Sequence, residues 1–585
     1  MKSVAPVFES ISPRPAAVLF ASALFALATP CAGRAATEAP KPGLSTSGNY
    51  LAGRHAQVVR DMGNAIAYYG AVLSREPENP DLLRRAFVIY LGEGRIADAL
   101  AAAGRMTKDE AARLAYPEIL RAADEIKRGR SGDAIARLGA FGAEGIGGLI
   151  APLLTAWAEM GRGDRAAAEA ALAKLAGHNG TQGFADLHRA LIADVAGDKA
   201  AAEAGYRKLA EGEGVPTVRL VTLLGNLLER AGERDKAKDV YDSFVAQNPD
   251  SRLLEDARRR VDSKKPAQKD TPKPEVGSPT EGAAEALLGL AGVFRQPNTR
   301  ENAYQLARIA LHLRPNFPSA QVLLADLLEG DRRYADANAI YAAINPASSL
   351  HRASRARIAA NLNRMDRVDE ATSRLEALAK ESPKDPEALI QLGDILRGHK
   401  KFKEAVAAYD RAIERVPSLD RRHWPLLYAR AIALERSDQW PRAEADFLKA
   451  LELEPDQPYV LNYLGYSWIE KRQNLDRATD MIRKAVAARP DDGYIVDSLG
   501  WAHYMLGQWD DAVRELERAV ELRPEDPAIN DHLGDAFWRV GRKTEAYFQW
   551  NRALTLKPEP DAIEAIKKKI EHGLPDAVTP PPTKS

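Results

Sequence analysis

The sequence predicts an all-α fold, an α-solenoid of about 14 helix hairpins, and three observations lead to it. First, Ala, Leu, Arg and Glu dominate the composition while β-branched residues are sparse, which favours helix. Second, small residues recur at a nearly constant interval, and prolines recur at the same interval. Third, a chain of 585 residues is too long for one globular core. A repeat array is therefore the expected architecture.

A series of alanines marks the start of the second helix in each predicted hairpin. Within each half of the chain the series advances by about 34 residues at every step, apart from one longer step between Ala405 and Ala443. These alanines are Ala65, Ala99, Ala134, Ala168, Ala202, Ala237, Ala303, Ala337, Ala371, Ala405, Ala443, Ala478, Ala512 and Ala546.

A Leu-Gly pair stands on the first helix of the best-defined repeats, as at Leu499-Gly500 and Leu533-Gly534. Two antiparallel helices approach closely only where Gly or Ala removes bulk at their crossing. Each hairpin leaves an apolar side uncovered, so neighbouring hairpins must stack. Proline cannot donate a helical hydrogen bond, and the prolines that end the second helices are Pro315, Pro383, Pro417, Pro455, Pro490, Pro524 and Pro558.

The order Leu-Gly, aromatic, Ala, aromatic, Ala, Pro resembles the tetratricopeptide repeat. It is read from Leu533-Gly534, Phe537, Ala546, Trp550, Ala553 and Pro558, and a similar order stands one interval earlier, from Leu499 to Pro524. The resemblance covers nearly the whole chain after the N-terminal leader and is strongest from about 285 to 558. It implies a right-handed superhelix whose first helices line a concave groove for partner proteins or peptides.

The chain is predicted to divide into six segments. These are a signal peptide at 1–36, a degenerate N-terminal repeat block at 50–262, a Pro/Lys-rich flexible linker at 263–280, a C-terminal block of eight repeats at 281–558, a capping helix at 559–573 and a disordered tail at 574–585. The linker prediction rests on Lys264–Pro279, where Val276 is the one large apolar side chain. A bulky substitution at Val276 is therefore expected to cost almost nothing.

The N-terminus has the pattern of an export signal. Lys2 and Arg14 precede an apolar run from Ala16 to Ala28, and small residues follow near Ala35. The run is too short to span a bilayer, and no transmembrane segment is expected elsewhere. The predicted location is periplasmic. An alternative is an outer-membrane lipoprotein acylated at Cys31, although the residues before this cysteine fit a lipidation motif poorly.

Charge and motifs argue against several functional classes. Basic and acidic residues balance at 82 each, so the chain has no net field to hold nucleic acid. No motif for phosphate binding, nucleophilic catalysis or metal ligation is present, so neither cofactor nor metal is expected. We expect a protein that is not an enzyme, and an unrecognised active site in the N-terminal half remains the less favoured alternative.

A set of aromatic and polar residues on three consecutive first helices predicts the partner-binding groove. They recur at steps of three and four residues and are offset from the Leu-Gly face, so they share a side that the hairpin does not bury. The alternative is that some of them pack between adjacent first helices. The predicted groove residues are Tyr459, Asn462, Tyr466, Tyr494, Asp497, Trp501, Tyr504, Asp535, Trp538 and Arg539, with Asp531 beside them.

The C-terminal half is also similar to large exported repeat proteins of Gram-negative bacteria. The similarity lies in segments such as LNYLGYSW and DSLGWAHYMLGQWDDAV. Some of those proteins are outer-membrane lipoproteins that act as adaptors for carboxy-terminal processing proteases. The resemblance thus implies an envelope scaffold, either an adaptor for a protease and its substrates or a scaffold for secretion or envelope polysaccharide assembly.

Overall fold

The structure is a computed structural model that describes residues 42–142, 144–177, 180–212, 217–248, 251, 253–263, 271–296 and 298–575. Across these ranges the regular structure is helical and no strand forms, which confirms the predicted all-α fold. No helix in these ranges is long and apolar enough to cross a membrane. The predicted signal segment 1–36, with Cys31, lies outside the described residues, as do 264–270 and 576–585.

The helices divide into two compact units, with the boundary between Asp366 and Arg367. The described helices of the first unit are α1 (Thr46–Val58), α2 (Met62–Leu73), α3 (Pro80–Gly92), α4 (Ile96–Arg105), α5 (Lys108–Leu114), α6 (Tyr116–Lys127), α7 (Ser131–Leu138), α8 (Gly145–Gly161), α9 (Arg165–Ala173), α10 (Gln182–Val195), α11 (Lys199–Ala210), α12 (Val218–Arg230), α13 (Arg234–Gln247), α14 (Glu255–Asp262), α15 (Pro279–Val293), α16 (Arg300–Leu313), α17 (Pro318–Gly330), α18 (Tyr334–Ala342) and α19 (His351–Arg364).

The second unit continues the same alternation of first and second helices. Its helices are α20 (Val368–Glu381), α21 (Glu387–Gly398), α22 (Phe402–Glu414), α23 (Trp424–Glu435), α24 (Trp440–Leu453), α25 (Pro458–Glu470), α26 (Leu475–Ala488), α27 (Gly493–Met505), α28 (Trp509–Leu522), α29 (Pro527–Arg539), α30 (Lys543–Thr555) and α31 (Pro560–His572).

The alanines that set the predicted repeat register all lie in second helices, and every one of the fourteen is fully buried. The Leu-Gly pairs lie at the predicted close approaches. A Cβ atom on Gly534 would stand 2.5 Å from the Trp550 ring, and one on Gly500 would stand 2.6 Å from Leu516 Cγ. Both distances are well below van der Waals contact, so glycine lets the two helices of these hairpins pack this closely.

In the first unit, the hairpin of α15 and α16 packs back against the first helices of earlier hairpins, and we call it the returning hairpin. Helix α15 contacts α6, α8 and α10, while α16 contacts α3 and α6. Ten of the 15 residues of α15 are buried, so this helix is covered on most of its sides. One hydrophobic core runs from Ala56 to Leu327 and includes the returning hairpin.

A close steric contact and a buried ion pair hold the returning hairpin. Gly282 lies against Trp157, where an added Cβ would stand 2.3 Å from the indole ring. The Trp157 Nε1–H group donates to Nδ1 of His188 over 3.1 Å, and burial lowers the pKa of His188 to about 4, so this imidazole is neutral. Beside it, Arg219 donates to both carboxylate oxygens of Glu285 at 2.9 and 2.7 Å.

The described part of the Pro/Lys-rich segment, residues 271–278, differs from the free linker that the sequence suggests. Val276 is only 2% exposed, so the expectation that a bulky residue is tolerated there is corrected. Asn226 Nδ2 donates to the carbonyl oxygen of Lys273 over 2.8 Å, and Glu275 pairs with Arg219 at 2.5 Å. Hydrogen bonds to its backbone carbonyls and an ion pair at Glu275 thus hold this segment in position. Hydrophobic patterning of the sequence does not reveal such polar contacts.

Candidate partner-binding surface

The three predicted stripes meet on one surface of the second unit. They lie on α25, α27 and α29, and α27 contacts both of the other helices. Direct contacts join the second stripe to α29, because His532 Nδ1 lies 2.9 Å from Asp497 Oδ1 and Arg539 Nε donates to the Tyr504 hydroxyl over 3.3 Å. We call the surface formed by α25, α27 and α29 on this side the first-helix surface.

The first stripe lies on α25. Tyr459, Asn462 and Tyr466 are all partly exposed, and the Arg489 guanidinium lies 5.6 Å from the centre of the Tyr459 ring. The Asn462 side chain keeps its Oδ1 atom buried without a hydrogen-bond partner in the described chain. An acceptor withdrawn from water and left unpaired is unfavourable by about 1–3 kcal/mol. This stripe therefore offers an unused hydrogen-bond acceptor between two aromatic side chains.

The second stripe is largely engaged by its own neighbours. The Trp501 ring stacks on Tyr504 with centroids 4.7 Å apart and on His532 with centroids 4.1 Å apart. Trp501 Nε1–H also donates to a carboxylate oxygen of Glu470. Tyr494, at the start of α27, remains partly exposed with the Arg523 guanidinium 5.1 Å from its ring centre. Trp501 and Tyr504 therefore pack between adjacent first helices, which is the alternative that the sequence left open.

A buried ion pair links the second stripe to the third. Asp497 is 8% exposed and accepts a hydrogen bond from His532, so its carboxylate does not face a partner as predicted. Burial alone would lower the pKa of His532, but the adjacent Asp497 carboxylate outweighs burial and raises this pKa to about 9. The imidazole is therefore protonated at neutral pH and stacks on Trp501 as a cation.

The third stripe is covered by helix α31. Lys569 Nζ donates to Asp531 at 2.9 Å and to Asp535 at 2.8 Å, and Trp550 Nε1–H also donates to Asp535, which is 5% exposed. Burial raises the pKa of Asp535, and Lys569 opposes that rise. The prediction that Asp535 lines an open groove is therefore corrected, because its carboxylate is used to anchor α31.

The other two predicted residues of this stripe also contact the C-terminal segment. The Trp538 ring lies against Gly573, where an added Cβ would stand 2.1 Å from the indole. Arg539 NH1 donates to the carbonyl oxygen of Pro575 over 2.7 Å. Trp538 and Arg539 thus hold the residues that follow α31.

An aromatic cluster next to the first stripe was not predicted. Tyr463 stacks on Phe447 with centroids 5.1 Å apart and meets Tyr428 edge-on at 6.1 Å, and Trp424 lies 6.2 Å from Tyr428. Tyr428 stands one repeat interval before Asn462, so extending the stripe one repeat toward the N-terminus would have found it. The cluster packs on the buried Phe447 ring of α24 and joins α25 to α23.

Metal-ligating clusters are absent from the part of the chain that the structure describes, since no group of three or more His, Cys, Asp and Glu side chains could hold an ion there. Two histidines of the C-terminal repeats have other partners. His503 is 6% exposed and its Nδ1 atom lies 2.5 Å from Gln508 Oε1, while His532 pairs with Asp497. The arrangement thus supports packing and contact with a partner through aromatic and amide groups.

Two family models match the chain. The model described as "Tetratricopeptide repeat" matches residues 355–420, 428–493 and 498–562, and the model described as "Tetratricopeptide repeat-like domain" matches residues 102–264. These matches cover the first-helix surface and most of the helices that the returning hairpin contacts.

Similar proteins were found among curated sequences and solved structures. The "TPR repeat-containing protein PA4667" of Pseudomonas aeruginosa is 26% identical over 154 residues, which are 26% of this chain and 25% of that protein. The match thus spans about a quarter of the relative's length. A tetratricopeptide repeat protein from Parabacteroides merdae has a TM-score of 0.37 and 15% identity over 44% of this chain and 99% of its own. A chain of the APC/C hetero-tetramer Cut9–Hcn1 has a TM-score of 0.36 and 14% identity over 89% of this chain and 96% of its own. The matched family models, with the buried alanine register, place the chain in the tetratricopeptide-repeat superfamily.

Proposed function

We propose that this chain is a protein-interaction scaffold that holds a partner segment on the first-helix surface, centred on Tyr459, Asn462 and Tyr466. The observation that carries this location is the buried, unpaired Oδ1 atom of Asn462 between two partly exposed tyrosines. The neighbouring stripes are already engaged by His532 and by α31. The stripe on α25 is thus where a partner finds unused contacts.

The chemistry of this stripe suits an extended peptide. Each peptide residue other than proline presents one backbone N–H group, and Asn462 Oδ1 is an acceptor that lacks such a donor. Tyrosine side chains supply a large apolar contact area together with a hydroxyl group, and they are common binding anchors. A peptide laid across α25 would cover both rings, and rotation of the Asn462 amide would bring its Oδ1 atom to a peptide N–H group.

Export and an envelope role belong to the same proposal. They are supported by the basic, apolar and small-residue order at the N-terminus and by the resemblance to exported repeat proteins. Two finer roles fit: an adaptor that brings substrates to an envelope protease, or a scaffold for secretion or envelope polysaccharide assembly. Proteins captured from a periplasmic extract distinguish them, because a serine protease with a cell-wall hydrolase indicates the first role and envelope-synthesis proteins indicate the second.

The experiment compares the wild-type chain with the double variant Tyr459→Ala/Tyr466→Ala. A protein captured by the wild type is titrated against both, and we expect the variant to bind at least about 30-fold more weakly, since aromatic anchors commonly contribute about 2 kcal/mol or more. Phe548→Ala, which truncates an exposed ring on second helix α30, serves as the control and should bind normally. Wild-type affinity in the double variant would place the binding site elsewhere.

A further inference from the structure

Exposed aliphatic side chains are concentrated at the N-terminal end of the first unit. Leu44, Leu51, Val58 and Val59 are between 57% and 91% exposed, and they account for four of the seven large apolar residues that stand exposed in the described chain. All four lie on α1 or next to its ends. Such a concentration on a single helix and its flanks marks α1 as a surface that meets something other than water.

The exposed residues of α1 form one face. Leu51 and Val58 are seven residues apart, which is two helical turns, and His55 lies between them on the same side. The opposite face carries the buried residues Asn49, Gly53 and Ala56, and Gly53 lies against the Tyr69 ring. An outer face of a solenoid hairpin that meets water is normally polar. On α1, the first helix that the structure describes, this face is aliphatic at its centre.

The charged side chains of α1 and its flanks are basic. Residues 42–60 contain Arg54 and Arg60 but no Asp or Glu, Arg54 and His55 are exposed, and Asp61, the acidic residue that follows, accepts hydrogen bonds from Asn64 at the start of α2. Nearby, the Arg75 guanidinium donates to the carbonyl oxygen of Leu44. Arg60 pairs with Asp331, so Arg54 and Arg75 are the cations that border the exposed face. The face is thus apolar at its centre and basic at its edge.

We propose that α1 docks on an anionic lipid surface. A helix with an apolar face and a basic border lies in the plane of a membrane interface, with its aliphatic groups at the acyl boundary and its cations at anionic head groups. Arg54 and His55 stand exposed beside the aliphatic residues, and anionic head groups would pair with this charge. Leu and Val side chains without Tyr or Trp suit acyl chains better than they suit a protein interface.

The test is sedimentation of the full chain with lipid vesicles. One set of vesicles contains phosphatidylglycerol and phosphatidylcholine, and the other contains phosphatidylcholine alone. The variants are Leu51→Glu/Val58→Glu and, as a matched control at another exposed apolar position, Phe548→Glu. Because residues 1–41 are identical in all three chains, differences between them report on α1.

We expect binding to the anionic vesicles that falls at least tenfold in Leu51→Glu/Val58→Glu, stays unchanged in Phe548→Glu and weakens with salt. Equal sedimentation of all three chains would overturn the proposal. So would a dimer in solution that the double variant abolishes, because a second copy would then cover α1. A large fall in the melting temperature of the double variant would also overturn it, since the face would be covered within the chain. A failure of the Tyr459→Ala/Tyr466→Ala experiment leaves this proposal unaffected.

Discussion

Trp501 illustrates how a side chain in a binding position can serve the fold instead. Its ring contacts Tyr504 on the same helix and His532 on the next first helix, and its indole N–H donates to Glu470. These contacts tie α25, α27 and α29 together. The spacing of Trp501 correctly predicts its side of α27, but spacing alone does not show that a neighbouring histidine occupies its ring face.

The His532–Asp497 pair predicts a defined dependence of stability on pH. The pKa of His532 is about 9 in the folded chain and about 6.5 in an unfolded one. Because the folded state holds the proton more tightly, this contribution is fully present below about pH 6.5 and is lost as pH rises through about 9. Asp497→Asn should remove the contribution. Urea unfolding measures the free energy of unfolding of the wild type and of this variant. The difference between the two should be up to about 3 kcal/mol larger at about pH 6 than at about pH 10. A difference that is constant with pH would contradict the assigned pair.

Helix α15 shows at the element scale what packing adds to a sequence pattern. The alanine spacing predicts that Ala303 on α16, the second helix of the same hairpin, is buried, and the structure shows it fully buried. Nothing in the spacing indicates that α15 lies against α6, α8 and α10, because those contacts join segments that are several repeats apart in sequence. Glu285, an ordinary charged residue in the sequence, is paired with Arg219 in the interior.

Two glycines of α15 provide a matched test of this position. An added Cβ at Gly282 would lie 2.3 Å from the Trp157 ring, whereas at Gly292 it would meet nothing within 4 Å. Gly282→Ala should therefore lower the free energy of unfolding by about 1–3 kcal/mol through overpacking. Gly292→Ala should raise it by about 0.5–1 kcal/mol, since alanine favours helix over glycine. Thermal unfolding measures both, and shifts of the same sign would show that α15 is not seated on Trp157.

Helix α31 is held by a charge contact that the sequence did not reveal. The sequence places Ile563, Ile566 and Ile570 on one face of this helix and Lys567, Lys568 and Lys569 on the other, which predicts a helix that covers apolar surface. In the structure, however, Lys569 reaches Asp531 and Asp535. Lys569→Met should lower the free energy of unfolding by roughly 3 kcal/mol, because it leaves two carboxylates without their cation in a largely buried site. Lys567→Met is the control, since its pair with Glu564 is exposed and is worth about 0–1 kcal/mol. Comparable losses in urea unfolding would argue against the buried contact.

At the scale of the whole chain, the repeat register was predictable and the surfaces available to partners were not. The register follows from steric rules that act within one hairpin, as at Gly534 and Trp550. Which first helices remain accessible depends on contacts between distant segments. In the first unit the returning hairpin covers first helices α3, α6, α8 and α10, and in the second unit α31 covers α29. The stripe on α25 stays partly exposed as the sequence suggested, and so does Tyr494 on α27.

The division into two compact units predicts two separable unfolding transitions. The first unit has a core that runs from Ala56 to Leu327, and the second contains a core that includes Ala512 and Trp550. Stability in repeat arrays is a sum over neighbouring elements, so a local defect should lower the transition of its own unit. In calorimetry, Gly282→Ala should lower one transition and Ala512→Phe the other. Overpacking at a fully buried alanine is unfavourable by about 1–3 kcal/mol. Each kcal/mol should lower the melting temperature of the affected unit by about 2–4 °C. Glu521→Phe, at an exposed position of the same helix as Ala512, should leave both transitions in place. If Gly282→Ala and Ala512→Phe instead shift one common transition, the two units unfold as a single cooperative body.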